Sequence, residues 1–117
     1  MKIVVALDSF KGGLTAPQAC RAVADGLRDA IADLELVLKP MADGGEGTAR
    51  AVFNARPDAR WVDQAAAGPF CERYIPAGFA WIPGEDTAII DMASVNGLPL
   101  IPRDKRDPMI TSTYGTG

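Results

Sequence analysis

KIVVAL, residues 2–7, is the stretch that decides the fold class. Its residues 3–7 form an uninterrupted apolar run rich in β-branched side chains, which is typical of a strand buried on both faces of a parallel sheet. The polar residue Asp8 ends the run. Because the run is too short for a signal-peptide core or a membrane span, the sequence favours a cytoplasmic protein.

The next segment predicts a helix that covers this strand. Its start, TAPQ, has a capping-box pattern, with Thr15 as the N-cap, Gln18 three residues later and Pro17 in the first turn. Apolar residues then recur at spacings of three and four and give the helix one apolar face: Cys20, Val23, Ala24, Leu27, Ala30, Ile31 and Leu34. LELVLK, residues 34–39, predicts a second strand, so residues 2–39 are expected to form a βαβ unit with a right-handed crossover.

The pattern changes near residue 60. RYIPAGFAWI and TAIIDM, separated by PGED, predict a β-hairpin, and Pro76 predicts that its first strand lies at a sheet edge. We therefore expect an α/β protein. A parallel βαβ unit, half of a Rossmann or flavodoxin-like sheet, occupies a domain over residues 1–60, and residues 61–117 begin a second, β-rich α/β domain.

Composition excludes several classes of protein. The chain has 117 residues, 48 % hydrophobic and 23 % charged, with a net charge of −3, which fits a soluble globular protein with one core. It has no basic run that would indicate a nucleic-acid partner. Cys20 and Cys71 are far apart and histidine is absent, so the sequence matches no disulfide framework, zinc motif or His-dependent nucleophile. Catalysis would use carboxylates, lysine, arginine, hydroxyls or backbone dipoles.

ADGGEGT, residues 42–48, follows the second strand and opens a predicted helix. In a structural interpretation Asp43 is an N-cap and Glu46 completes a capping box. Capping does not need three glycines, each of which costs about 0.5–1 kcal/mol relative to alanine inside a helix. We therefore favour binding of a phosphate or carboxylate by the backbone of residues 44–48, with Asp43 and Glu46 as possible Mg²⁺ ligands.

Two further stretches carry candidate site residues. In DSFKGG, residues 8–13, Lys11 is either a solvated loop lysine or a point charge that reaches a phosphate. This loop and residues 42–48 both follow parallel strands, at the sheet edge where α/β proteins bind ligands.

In the C-terminal tail, Arg103 and Arg106 either clamp a carboxylate or belong to an ordinary charged loop. The residues that would line an anion pocket there are Thr111, Ser112, Thr113, Gly115 and Gly117. Walker and Rossmann fingerprints are absent.

Together these stretches resemble the bacterial glycerate kinase family, which has a two-domain α/β fold. The resemblance runs through ALDSFKGGLTA, MADGGEGT, AAAGPF, DMASVNGLPLIP and KRDPMITSTYGTG. Gly13 departs from the hydroxyl residue usual at its position, and Asp91 replaces a usual glutamate. The family's chains run to several hundred residues, and this chain resembles their N-terminal third. The resemblance implies that C-terminal segments complete the first domain, so the isolated chain would expose sheet edges and apolar surface.

The resemblance also implies a function, the ATP-dependent phosphorylation of glycerate with Mg²⁺ bridging the nucleotide phosphates. Lys11 would neutralise phosphate charge, Asp8 or Asp43 would act on the attacking hydroxyl or the metal, and Arg106 would hold the substrate carboxylate. The other residues expected to bind phosphate or substrate are Ser9, Gly44, Gly45, Glu46, Gly47, Thr48, Thr111, Ser112, Thr113 and Gly115. The alternative for the isolated chain is a catalytically silent anion-binding α/β module. A receiver-like signalling domain fits poorly, because no paired acidic residues precede Asp8.

Overall fold

The structure is a computed structural model that describes residues 1–117. It contains β1 (Lys2–Val5), α1 (Ala16–Ala30), β2 (Glu35–Leu38), α2 (Thr48–Ala55), β3 (Arg60–Ala67), β4 (Tyr74–Ile82), β5 (Thr87–Ile89) and α3 (Met92–Asn96), with 3₁₀ turns at Pro83–Glu85, Leu98–Leu100 and Arg103–Lys105. The mixed α/β class is confirmed. The chain divides into two compact units, Met1–Asp43 and Gly44–Gly117. The predicted domain boundary near residue 60 stays a prediction.

The first unit is the predicted βαβ arrangement. β1 and β2 are parallel, with Lys2 opposite Glu35 and Val5 opposite Leu38. Both strands are shorter than predicted, but the backbone pairing continues past them, since Lys39 N–H donates to the Val5 carbonyl at 2.8 Å. The loops after β1 and β2 therefore leave the sheet at the same edge.

Local sequence chemistry explains where α1 begins and what it covers. The Thr15 backbone N–H donates to Oε1 of Gln18 at 2.9 Å, which satisfies a donor before the helix starts. On the buried face, Cys20 and Ala24 are fully inaccessible to solvent. The Cys20 thiol lies 3.7 Å from the Val5 carbonyl oxygen, which attaches the helix to β1.

The sheet of the first unit is covered on one face only. Val5 is 5 % exposed under α1, whereas Val4 is 58 % exposed. Successive side chains of a strand point to opposite faces, so Val4 lies on the face that α1 does not cover. The expectation that β1 is buried on both faces is therefore wrong for this chain.

The second unit contains an antiparallel sheet with the order β3-β4-β5. The predicted hairpin is confirmed as β4 and β5, joined through Pro83–Glu85. The prediction that Pro76 marks an edge strand is wrong, because β4 is central. Pro76 lies opposite Ala65 of β3, and β5 pairs only with residues 80–82 of β4. The other side of β4 is thus unpaired at Pro76, where a missing N–H interrupts no second ladder.

α2 packs against β4 and β5, and the core of the second unit consists of small and branched apolar residues: Ala49, Ala67, Ala80, Ile82, Val95 and Ile101. At the periphery, the Phe53 and Trp61 rings meet edge to face with centroids 5.9 Å apart. The longest helix of the chain, α1, has 15 residues, and no helix has the length and apolar character to cross a membrane.

Candidate functional site

The glycine-rich loop, residues 42–48, contains three glycines, and the backbone conformation requires glycine at two of them. Gly44 has a φ of +104° and Gly47 a φ of +88°, in the region that residues with a Cβ rarely adopt. Gly47 is also the N-cap of α2, which begins at Thr48. The helix therefore starts too late for Asp43 to be its N-cap, and the predicted capping box of Asp43 and Glu46 is wrong.

A carboxylate from a distant part of the chain caps α2 instead. The Gly47 N–H donates to Oδ2 of Asp91 at 2.9 Å, and the Ala49 N–H donates to Oδ1 at 2.8 Å. Asp91 is 6 % exposed and is the one buried charged residue of the chain. Negative charge at a helix N-terminus is favoured by the helix dipole and by the unpaired N–H groups there. Asp91 thus completes the first turn of α2.

The cap by Asp91 reduces the number of free backbone donors near residues 44–48, which were predicted to bind a phosphate or carboxylate. The N–H groups of Gly47 and Ala49 already donate to a carboxylate, and the Thr48 N–H approaches the Gly45 carbonyl at 3.4 Å. Glu46 is exposed beside them. The prediction of anion binding by this loop stays a prediction, with the Gly47 N–H already engaged by Asp91.

The loop after β1 presents a lysine at the tip of a tight turn. The Phe10 N–H donates to the Leu14 carbonyl at 2.8 Å, and the Gly13 N–H donates to the Phe10 carbonyl at 2.7 Å. Lys11 lies between them, exposed and without an ion pair or hydrogen bond in the chain. At the base of the turn, the Ser9 N–H donates to Oδ1 of the half-buried Asp8 at 2.6 Å. The Lys11 ammonium is therefore available to an external anion.

Arg106 is oriented by the backbone around it. Its Nε donates to the Ile101 carbonyl at 3.3 Å, and one terminal nitrogen donates to the Leu98 carbonyl at 3.2 Å. The guanidinium is exposed, and only two of its five N–H groups are used by these bonds, so the others can donate to a ligand. Its predicted role as a carboxylate clamp stays a prediction.

Asn96 organises the hydroxyl-rich tail. Its amide nitrogen donates to the Ser112 carbonyl at 2.8 Å, and its amide oxygen accepts from the Thr116 hydroxyl. The Ser112 N–H in turn donates to the Pro69 carbonyl at 2.7 Å. A Cβ at Gly115 would overlap the Ala67 carbonyl oxygen, so the tail lies directly against the end of β3. The structure thus brings the predicted residues Ser112 and Gly115 together within the second unit.

Two open grooves lie beside the tail and beside the Asp91 cap. One, of about 440 Å³, lies beside the tail and is lined by β3, Tyr74, Tyr114 and Gly115. The other, of about 360 Å³, reaches Gly47 and Asp91. In its wall the Arg50 guanidinium carbon lies 3.4 Å from the centre of the Trp61 ring.

Comparison with known proteins places the chain in a family. A family profile, described as that of the glycerate kinase family, matches residues 3–117. The chain belongs to the glycerate kinase family. It is 41 % identical over 117 residues to the glycerate kinase of Bacillus subtilis, and 41 % identical over 120 residues to the glycerate 2-kinase of Escherichia coli K12. These alignments cover 100 % of this chain but 30 % of each relative, so the chain spans less than a third of their length.

A solved structure of this family has the same fold. The crystal structure of a protein assigned as glycerate kinase 2 from Salmonella typhimurium LT2 matches with a TM-score of 0.64 at 36 % identity. The match covers 99 % of this chain and 31 % of that one. The α/β architecture described above is therefore that of a glycerate kinase family member.

Two residues that build the site, Asp91 and Asn96, are not predicted from the sequence patterns. Asp91 stands out in the sequence only as a departure from the glutamate usual in the glycerate kinase family, and Asn96 belongs to none of the candidate motifs. Asp91 also precedes α3, where an aspartate is expected to cap its own helix. Its actual contacts lie 42 and 44 residues away, which local spacing does not reveal.

The chain has fifteen acidic residues, but they do not form a preformed metal cluster. No group of three or more cysteine and carboxylate side chains is arranged to hold an ion. Of the predicted Mg²⁺ ligands, Asp43 ends the first unit and Glu46 lies in the second, and both are exposed. Their role as Mg²⁺ ligands therefore stays a prediction.

Proposed function

We propose that the protein carrying these residues is a kinase that phosphorylates glycerate with ATP. The observation that carries this proposal is the family match over residues 3–117, together with relatives that are named glycerate kinases. The products would be a phosphoglycerate and ADP. The absence of histidine is no obstacle, because phosphoryl transfer depends mainly on positioning and on electrostatic stabilisation.

Within the first unit we assign the charge-neutralising role to Lys11. Its ammonium is exposed at a turn tip and has no partner in the chain, so it can follow a phosphate as a mobile charge. Asp8, at the base of the same turn, or Asp43 would accept the proton of the attacking glycerate hydroxyl. Ser9 would add a hydroxyl donor beside Asp8.

In the second unit we assign anion binding to two segments. The glycine-rich loop, with Gly44, Gly45, Glu46, Gly47 and Thr48, would bind one anion, although the Gly47 N–H is already engaged by Asp91 and would not donate to it. The hydroxyls and backbone of Thr111, Ser112, Thr113 and Gly115 would bind another, with Arg106 holding the substrate carboxylate. Support comes from the Asn96 contacts that order the tail and from the exposed guanidinium of Arg106.

Mg²⁺ is the metal we propose, with Asp43 and Glu46 as its carboxylate ligands. Mg²⁺ would neutralise charge on the nucleotide phosphates. We also propose a cytoplasmic location and a small-molecule substrate, with no nucleic-acid partner, because no basic cluster provides a phosphate-backbone footprint.

A second function is favoured for the 117 residues on their own, since they span about 30 % of the relatives' length. In isolation they would act as an anion-binding α/β module without turnover. Inorganic phosphate titrated into the isolated chain, followed by amide chemical shifts, would then perturb residues of the two anion-binding segments. No perturbation at either segment would contradict the module.

The kinase proposal is tested on the full-length product of the reading frame. ADP release is measured with ATP, Mg²⁺ and D-glycerate, and again without glycerate. We expect glycerate-dependent release that falls about a hundredfold or more in Lys11→Ala, as for loss of a transition-state charge contact. Arg21→Ala, which removes an exposed positive charge on α1, is the matched control and should stay within about twofold. Release that ignores glycerate, or a Lys11→Ala enzyme within a few-fold of wild type, would overturn the assignment.

A further inference from the structure

The two hydrogen bonds that Asp91 accepts at the start of α2 have a role in addition to capping the helix. We propose that Asp91 is a positioning residue, which fixes the glycine-rich loop and keeps a bound anion off the first turn of α2. The effect on turnover rests on the proposed kinase function. The effect on the loop does not.

The geometry leaves Asp91 little freedom. Each carboxylate oxygen accepts one N–H, from Gly47 to Oδ2 and from Ala49 to Oδ1, so rotation of the group breaks at least one bond. Hydrogen bonds to an ionised carboxylate are about twice as strong as neutral ones. Ala49 is fully buried and Asp91 is 6 % exposed, so water competes poorly for either.

Asp91 is also held from its other side. Its backbone carbonyl accepts from the Ser94 hydroxyl at 2.7 Å and from the Ser94 N–H at 3.2 Å, in the first turn of α3. Asp91 therefore joins the N-terminal turns of α2 and α3. Through Gly47, the position of the loop depends on the end of the β4–β5 hairpin.

The same carboxylate has a consequence for ligands. A free helix N-terminus offers its N–H groups to phosphates. Here the Asp91 carboxylate already occupies the donors of Gly47 and Ala49 and repels a second anion from them. An anion bound by the loop is thereby directed to the part of the loop that precedes Gly47.

Amide signals of the 117-residue chain test the positioning directly, with inorganic phosphate as the probe. In the wild type we expect the Gly47 and Ala49 N–H groups to exchange slowly and to keep their chemical shifts as phosphate is added. Asp91→Ala should speed their exchange about tenfold or more, as for loss of a buried charged acceptor, and should make both signals respond to phosphate. Asp91→Glu, which keeps the charge, should restore the unresponsive behaviour.

Asp29→Asn, at an exposed position on α1 where the side chain makes no ion pair, is the charge-matched control and should leave both amides unchanged. If Asp91→Ala does not fold, the amides of the wild type still test the inference. Fast exchange or a phosphate response at Gly47 and Ala49 in the wild type would overturn it.

In the full-length enzyme, Asp91→Asn should lower kcat about tenfold or more with a smaller change in KM, and Asp91→Glu should recover most of the lost kcat. A KM effect alone would contradict the positioning role.

The two proposals fail separately. An enzyme without glycerate-dependent turnover would end the kinase assignment, while slow and phosphate-insensitive Gly47 and Ala49 amides would still support the loop position. Conversely, mobile amides in an active glycerate kinase would remove only the role given to Asp91.

Discussion

At Gly47, the N-cap of α2, the backbone has a φ of +88°, a conformation that residues with a Cβ rarely adopt. A side chain there costs about 1–2 kcal/mol, because its Cβ crowds the following carbonyl oxygen. Nothing lies within 4 Å of a Cβ built at this residue, so the cost is conformational and not a clash with neighbours. The glycine is therefore required by the chain itself, whether or not a ligand binds.

We predict that Gly47→Ala lowers the free energy of unfolding by about 1–2 kcal/mol. Gly26→Ala is the matched control, because Gly26 lies inside α1 with ordinary torsion angles and open space around a Cβ. There alanine should stabilise the helix by about 0.8–1 kcal/mol. Urea unfolding of both variants measures the difference, and equal shifts of the same sign would contradict the conformational explanation.

At the scale of elements, an exposed ionic cluster joins the end of α2 to the β4–β5 turn. The Arg56 guanidinium donates to Asp58 and to Glu85, with N···O distances of 2.8 and 2.6 Å. These bonds raise the pKa of Arg56 above its usual range, and the hydrogen bond from Arg56 lowers the pKa of the Asp58 carboxyl. All three side chains are exposed by more than a third, so solvent screens the cluster strongly.

The sign of the pH effect follows from the lowered pKa of Asp58. Its contribution to stability is complete above the unfolded value of about 3.9 and is lost as pH falls through the native value. We predict that Asp58→Asn lowers the melting temperature slightly at pH 7, but not at a pH well below the native pKa of Asp58. Thermal unfolding of the variant and the wild type at both pH values measures the difference, which high salt at pH 7 should reduce. A difference in melting temperature that persists in acid would contradict the prediction.

The tail depends on α3 through one side chain. Asn96→Ala removes the contacts to Ser112 and Thr116, so we predict faster amide exchange over residues 111–116 with little change in α1. Asn54→Ala, at an exposed position of α2, is the matched control. Unchanged exchange in the tail of Asn96→Ala would show that packing of Gly115 on Ala67 suffices to order it.

Local sequence patterns predicted the elements better than they predicted the site. The capping box of Thr15 and Gln18 and the hairpin around Pro83–Glu85 are both set by residues within a few positions of one another. The cap of α2 is not, since Asp91 reaches it from more than forty residues away. Pro76 misled for a related reason: proline excludes a second ladder at its own position, not along the whole strand.

At the scale of the whole molecule, the chain leaves apolar surface uncovered. Val4 on the open face of β1 is 58 % exposed, and Met109 and Ile110 are 87 % and 58 % exposed. A two-stranded sheet also has two unpaired edges, which favour pairing with other chains. The 117 residues on their own therefore carry a liability for association.

We predict that the isolated chain self-associates and that Val4→Thr, which places a β-branched polar residue on the open face, reduces this association. Val5→Thr is the paired variant, because the same change under α1 buries a hydroxyl and should cost about 1–3 kcal/mol of stability. Light scattering with size-exclusion chromatography measures the first effect and urea unfolding the second. A monomeric wild type at high concentration would contradict the prediction.

The most direct test of the central claim is to identify the product. Full-length protein is incubated with ATP, Mg²⁺ and ¹³C-labelled D-glycerate, and the carbon and phosphorus spectra are followed by NMR. The account predicts a phosphoglycerate that appears in step with ADP, and much less of it with Lys11→Ala than with Arg21→Ala. ADP without a phosphorylated glycerate, or unchanged glycerate with well-folded protein, would contradict the assignment of this family member as a glycerate kinase.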